Sequence, residues 1–80
     1  MASKETVLER ATLRSISIDS EVVALAVIKR GEERFAFEIF RDDRLAASGE
    51  EQKTAERAAK SGLSVWKRIA KTVLAEKLGG

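Results

Sequence analysis

The chain has no cysteine, histidine, tyrosine or proline. Without cysteine it cannot form a disulfide or a thiolate zinc site, and without histidine it lacks the commonest general base and transition-metal ligand. A serine nucleophile would need a lysine base, and no motif of that kind occurs. The five glycines form no phosphate-binding loop. We therefore expect a non-catalytic protein that uses no cofactor and no metal.

Six of the 13 acidic side chains occur as three adjacent pairs. The pairs are Glu32–Glu33, Asp42–Asp43 and Glu50–Glu51. Each pair falls in a predicted turn or at the predicted start of a helix, where charge is normally solvated. We interpret them as solvated turn charge; a cation site or an acid–base pair is the alternative.

The length of 80 residues predicts a single domain, residues 1–80, with a small core. The hydrophobic content of 44% is sufficient for a folded chain. The longest apolar run, Val22–Ile28, is far shorter than the roughly 20 residues that span a bilayer. The first residues, MASKETVLER, lack the apolar core of a signal peptide. We expect a soluble, cytoplasmic protein.

The middle of the chain has the pattern of an antiparallel sheet. Val22–Ile28 is apolar on both faces, as in a central strand. In the next run, RFAFEIFR, one face carries Phe35, Phe37 and Ile39, whereas the other carries Phe40. The glycine-bearing KRGEER joins these runs as a hairpin, and RDDR forms a second tight turn before the short strand RLAA. The pattern predicts a meander of three to four strands over about residues 13–48.

Residues 3–14 fit either a helix or a strand. Val7, Leu8, Ala11 and Ser15 have helical spacing, with Ser3 as a candidate N-cap. The end of the stretch, RSISID, alternates as a strand does. A strand through the whole segment would need a bulge, because Leu13 and Ile16 have opposite parity. We favour a strand from about Leu13 to Asp19, preceded by helical or loosely ordered residues.

The last third of the chain changes to a helical period. Ser48 and Glu51 form a capping-box pattern, and Gly79 fits a left-handed C-terminal cap, so we expect a helix over about residues 49–78. Its apolar positions keep phase across Gly62, which favours one helix that approaches the sheet closely at this glycine. A kink or break at Gly62 is the alternative, because 30 residues of helix span roughly 45 Å against a domain diameter of about 30 Å.

An unbroken helix of this length would extend beyond its sheet. The apolar side chains of its last turns, Val73, Leu74 and Leu78, would then need cover. A second copy of the chain would supply that cover, and we therefore expect a homodimer.

A cationic stripe follows the predicted helix on the side opposite Trp66. It consists of Lys53, Arg57, Lys60, Lys67, Arg68 and Lys71. Residues 50–80 hold seven basic and four acidic side chains, against eight and nine in residues 1–49, so the basic surface lies in the C-terminal third. The stripe is a candidate site for an acidic protein surface or for phosphates; a solubilising outer face is the alternative.

Two aromatic residues are predicted to lie on opposite sides of the sheet. Trp66 lies on the apolar side of the helix, and we expect it in the core over the sheet. Phe40 points away from the helix, and one helix cannot cover both faces of a sheet. We therefore expect Phe40 to be an exposed apolar contact, unless the N-terminal segment folds back over it.

The stretch RFAFEIFRDDRLAASGEEQKTAERAA resembles part of a double-stranded-RNA-binding domain. If residues 3–14 are helical, the element order becomes α-β-β-β-α, as in that family. The resemblance implies that Lys53 contacts phosphate and that the helix packs through Ala55, Ala58 and Ala59. Gln52 stands where the family has another lysine, and the family's histidine-containing loop is missing.

Together these observations predict a small α+β domain, an antiparallel sheet packed on a long C-terminal helix, that binds without catalysis. We expect an adaptor or inhibitor of another protein, of the accessory type found in phages and mobile elements. The alternative is nucleic-acid binding through the cationic stripe.

Overall fold

The computed structural model describes residues 7–79. Four antiparallel strands form one open sheet in the order β1–β2–β3–β4, and one helix follows them. The elements are β1 Glu9–Ile18, β2 Glu21–Gly31, β3 Arg34–Arg41, β4 Arg44–Ser48 and α1 Ala55–Gly79. The predicted α+β meander packed against a C-terminal helix is confirmed.

Strand β1 begins earlier than predicted. It starts at Glu9, so the helical interpretation of the N-terminal segment is wrong over residues 9–14, and residues 3–6 lie outside the described part. The pairing with β2 shifts register between Thr12 and Arg14, which leaves Leu13 as the extra residue of a bulge. The bulge required by the parity of the apolar positions is therefore present, and it lets the strand continue to Ile18.

The strands are joined by tight turns with left-handed backbone. Asp19 and Ser20 have φ values of 51° and 73°, the two positive angles of a turn that matches the twist of a hairpin. Glu33 and Asp42 have φ values of 57° and 53° in the next two turns. The predicted turn at RDDR is confirmed, and the KRGEER connection is shorter than predicted because β2 runs to Gly31.

The helix begins later than predicted, and its N-cap is Thr54. The Thr54 hydroxyl accepts a hydrogen bond of 3.1 Å from the Arg57 N–H, and the Thr54 carbonyl accepts one of 3.2 Å from the Ala58 N–H. The capping box at Ser48 and Glu51 is wrong, because Ser48 is the last residue of β4 and pairs with β3.

The segment before the helix is held against the sheet. Phe35 and Gln52 exchange two backbone hydrogen bonds, of 2.9 and 2.7 Å, and the Gly49 N–H donates to the Phe37 carbonyl at 3.2 Å. These bonds satisfy backbone groups that a helix starting at residue 49 would have used, so the helix starts only after them.

The helix is continuous across Gly62, as the phase of its apolar residues predicted. It also continues through Gly79, which has no left-handed backbone, so the predicted C-terminal glycine cap is wrong. Gly62 is buried against the sheet. A Cβ atom at this position would lie 2.7 Å from Leu25 Cδ1 and 2.8 Å from Phe37 Cβ. The absence of a side chain therefore allows the helix backbone to contact the two central strands.

The core lies between the helix and strands β2 and β3. Its buried apolar residues are Val23, Leu25, Phe37, Ile39 and Val73. Trp66 packs against this cluster, and its indole N–H donates a hydrogen bond of 3.1 Å to the Val23 carbonyl. Trp66 is partly buried, and its predicted position on the apolar side of the helix, over the sheet, is confirmed.

We predict that Gly62→Ala destabilises the fold although alanine favours helix. Overpacking against Leu25 and Phe37 costs about 1–3 kcal/mol, and the helix propensity of alanine returns about 1 kcal/mol, so we expect a net loss of up to about 2 kcal/mol. Urea denaturation measures the free energy of unfolding. Gly79→Ala is the matched control, because its added Cβ meets no atom within 4 Å. A Gly62→Ala protein as stable as the wild type would show that the glycine does not set the helix–sheet distance.

Candidate functional site

All six residues of the cationic stripe are exposed, and none makes an ion pair with another residue in the range 7–79. Five of them lie on α1, whereas Lys53 precedes the helix. At 100° per residue, Lys60, Lys67 and Lys71 share the border of the stripe nearer to β1, about 100–140° from Trp66. The remaining helical members lie about 180–200° from Trp66 and point into solvent. The stripe therefore has one side next to the sheet edge and one side away from it.

Next to the Lys60 border, an open trough separates α1 from β1. It consists of two adjoining depressions of about 570 and 300 Å³ that share Leu13, Glu56 and Ala59. Apolar side chains supply most of its surface, among them Ala11, Leu13, Val27, Phe35, Ala59 and Leu63. The β1–α1 trough exists because the helix packs mainly over β2 and β3 and leaves β1 largely uncovered.

Exposed apolar side chains are frequent in β1 and just before it. Nine of the ten residues of β1 are exposed. Eight large hydrophobic residues are exposed in the described chain: Val7, Leu8, Leu13, Ile16, Val22, Leu45, Leu74 and Leu78. The first four precede or lie in β1, and the last two lie near the end of α1. Such a concentration on a domain of 80 residues is typical of an interaction surface.

The overhanging end of the helix is covered only in part. Val73 is fully buried in the core, so it needs no second copy to cover it. Leu74 and Leu78 are 45% and 78% exposed. The homodimer stays a prediction, because these two leucines are exposed in the single chain and no partner is present to contact them.

Phe40 is half-buried on the face of the sheet opposite the helix. The guanidinium of Arg10 lies 6.0 Å from the centroid of its ring, and the same guanidinium forms a 3.0 Å ion pair with the largely buried Glu38. Val22 and Leu45 on the same face are more exposed than Phe40. Sequence reasoning missed both, although the alternation of β2 and the pairing of β4 with β3 place them on this face.

A cluster of charges joins the sheet to the C-terminal half of the helix. Arg41 Nε lies 2.6 Å from Glu21 Oε2, and Arg41 Nη2 lies 2.8 Å from Glu76 Oε1. Lys77 Nζ lies 3.3 Å from Glu21 Oε1. The hydrogen bond from Arg41, with a smaller contribution from Lys77, lowers the pKa of Glu21 to about 2 against the opposing effect of its burial. This cluster anchors the helix to strands β2 and β3.

Two of the six paired carboxylates, Asp42 and Glu51, are exposed and also form contacts with other parts of the chain. Asp42 Oδ1 accepts a 2.9 Å hydrogen bond from the Val22 N–H. Arg34 Nη2 donates a hydrogen bond of 2.8 Å to Glu51 Oε2, and the hydrogen bonding with Arg34 lowers the pKa of Glu51. No group of three or more acidic side chains is arranged for a metal ion within residues 7–79.

The layout of a double-stranded-RNA-binding domain is not present. That layout needs a helix before three strands, whereas residues 9–14 belong to a fourth strand, and the order of described elements is β-β-β-β-α. Of the three alanines assigned to the packing face, only Ala58 is fully buried, and Ala55 is exposed. The fold therefore gives no support for the phosphate contact that the resemblance implied at Lys53.

None of the described helical residues forms a segment long and apolar enough to cross a membrane. Comparisons with protein-family models, curated proteins and solved structures find no match for this chain.

We predict that Glu21 makes stability depend on acid pH. Its pKa is about 2 in the folded protein against an ordinary value of 4.5, so its stabilising contribution is complete above pH 4.5 and is lost as pH falls towards 2. Glu21→Gln should therefore flatten the decrease in unfolding free energy between these pH values, as measured by urea denaturation. Glu50→Gln, which removes an exposed carboxylate without an ion-pair partner in the described chain, is the control. An unchanged slope in Glu21→Gln would contradict the assignment.

Proposed function

We propose that this protein is a non-catalytic binding module for an acidic surface of another protein. The observation that carries the proposal is a row of exposed cations, unpaired within residues 7–79, along an open apolar trough. Cations at the rim attract and orient an acidic partner, and the apolar surface supplies the free energy of contact. An adaptor or inhibitor of the accessory type fits this arrangement, and the cytoplasm is the compartment we propose.

The distribution of aromatic residues favours a protein partner over a single-stranded nucleic acid. The chain has three phenylalanines and one tryptophan, and each of them is buried or half-buried. Single-strand recognition uses exposed aromatic rings on which bases stack. A duplex bound through its phosphates needs no such rings, so duplex binding through the cationic stripe is the alternative that experiment must separate.

The test compares the wild type with a charge-reversed variant of the stripe, carrying Arg57→Glu, Lys60→Glu, Arg68→Glu and Lys71→Glu. We expect the wild type to capture a defined protein from the native host lysate and the variant to lose it, because the attraction to acidic groups is reversed. Chemical cross-linking with mass spectrometry should locate the contact on α1. Arg44→Glu, a charge reversal at the distant β3–β4 turn, is the matched control and should capture the protein normally.

The same proteins are then titrated with short RNA and DNA duplexes in fluorescence anisotropy at about 50 and 200 mM salt. The proposal predicts no difference between the wild type and the charge-reversed variant. Duplex binding that weakens steeply with salt and is lost in the variant would replace the proposal with nucleic-acid binding. Capture of the same proteins by the wild type and the charge-reversed variant would contradict the role of the stripe.

A further inference from the structure

We propose that the β1–α1 trough receives an extended, acidic and apolar segment of the partner, which adds to the sheet as a fifth strand along β1. This inference rests on the proposed function and specifies the part of the partner that is recognised. It combines an open sheet edge, an apolar floor and a rim of unpaired cations.

The edge formed by β1 is long and uncovered in the described chain. It has ten residues, which extend over about 33 Å, whereas the opposite edge, β4, has only five. Alternate backbone N–H and C=O groups of an edge strand point outward without a strand partner. An extended peptide satisfies these groups through main-chain hydrogen bonds, which is the basis of recognition by strand addition.

The trough lies beside this edge on the helix side of the sheet. Every second side chain of an added strand would point into it, since successive side chains alternate between faces. Those side chains would meet Leu13 from the strand and Ala59 and Leu63 from the helix. The bulge at Leu13 contributes here, because it brings Leu13 and Arg14, although adjacent, to the same depression. One residue supplies apolar contact and the next supplies charge.

The charges around the trough select an acidic occupant. Two carboxylates, Glu9 and Glu56, border it. Arg10 also lines the trough, but its charge is offset by its ion pair with Glu38. The other cations outnumber the carboxylates: Arg14, Lys29 and Lys60 line the trough, and Lys67 and Lys71 continue the rim along the helix. None of these five cations has an ion-pair partner among residues 7–79. The rim therefore has a net charge of +3.

The same charges disfavour a second copy of the chain in the trough. A two-fold axis at the β1 edge would place one basic rim opposite another. The β1 strand itself, with Glu9, Arg10 and Arg14, has no acidic excess to offset that repulsion. A segment that alternates apolar residues with aspartate or glutamate complements both the floor and the rim. Such a segment is therefore the occupant expected in the trough.

A random peptide library displayed on phage and selected on the full-length protein tests the proposal. We expect enrichment of extended sequences that alternate apolar and acidic residues. A synthetic peptide from this set should bind at least about tenfold more weakly to Leu13→Asp and to Lys60→Glu/Lys67→Glu, because each change opposes its carboxylates. Arg44→Glu should bind it normally. N-methylation of alternate peptide amides should cause a similar loss, because it removes main-chain donors to β1.

Two controls keep the outcome clear. Circular dichroism establishes whether Leu13→Asp is folded. If it is not, the lysine double variant, whose changes are on the exposed side of the helix, supplies a second test. Enriched peptides that are basic, bind as helices or ignore the β1 and lysine changes would overturn the proposal, as would a library without enrichment. Sedimentation equilibrium measures whether the protein is a homodimer. A homodimer whose interface is β1 would also overturn the proposal.

The failure of this inference is distinguishable from the failure of the proposed function. If a host protein is captured through the stripe but binds Leu13→Asp as tightly as the wild type, the binding module stands and strand addition is wrong. If the stripe reversal leaves capture unchanged, the proposed function itself is wrong.

Discussion

The rest of the structure depends on the contact of Gly62 with Leu25 and Phe37. A side chain at this point of the helix would overlap both residues, so only glycine lets the backbone of α1 reach the two central strands. The contact fixes the helix over β2 and β3, where its apolar face covers Val23 and Ile39. Because the chain is short and its core small, this close approach matters more than it would in a larger domain.

Two polar contacts hold the helix in the same place. The Trp66 indole donates to the backbone of β2, and the Glu21–Arg41 pair connects β2 and β3 to Glu76 near the end of the helix. One helix has room for two strands at this packing distance, and within residues 7–79 the third long strand, β1, remains largely without cover. The open trough and the free edge are therefore consequences of the packing that stabilises the core. The surface available for binding follows from the way the fold is held together.

Much of this arrangement is predictable from residue patterns, because the spacing of apolar residues along the chain indicates which side chains are buried. The meander, the continuous helix and the position of Trp66 over the sheet follow from this spacing, whereas the start of β1 does not, because residues 9–14 fit a helix as well as a strand. The helix start does not, because Ser48 and Glu51 match a capping box but their segment is engaged by the backbone of β3. The trough is also not predictable, because it depends on the lateral position of the helix across the sheet. The residues of the cationic stripe could be predicted from the sequence. The border of the stripe that faces β1 could not be predicted.

Within residues 7–79, β1 is an open edge of the sheet beside the β1–α1 trough. Amide hydrogen exchange of the free protein, resolved by residue along Glu9–Ile18, tests it most directly. We expect protection to alternate along β1: amides that donate to β2 are protected, and amides that point outward exchange close to the rate of an unfolded peptide. Protection of both sets to the same degree would contradict it, because the edge would then already be covered in the free protein.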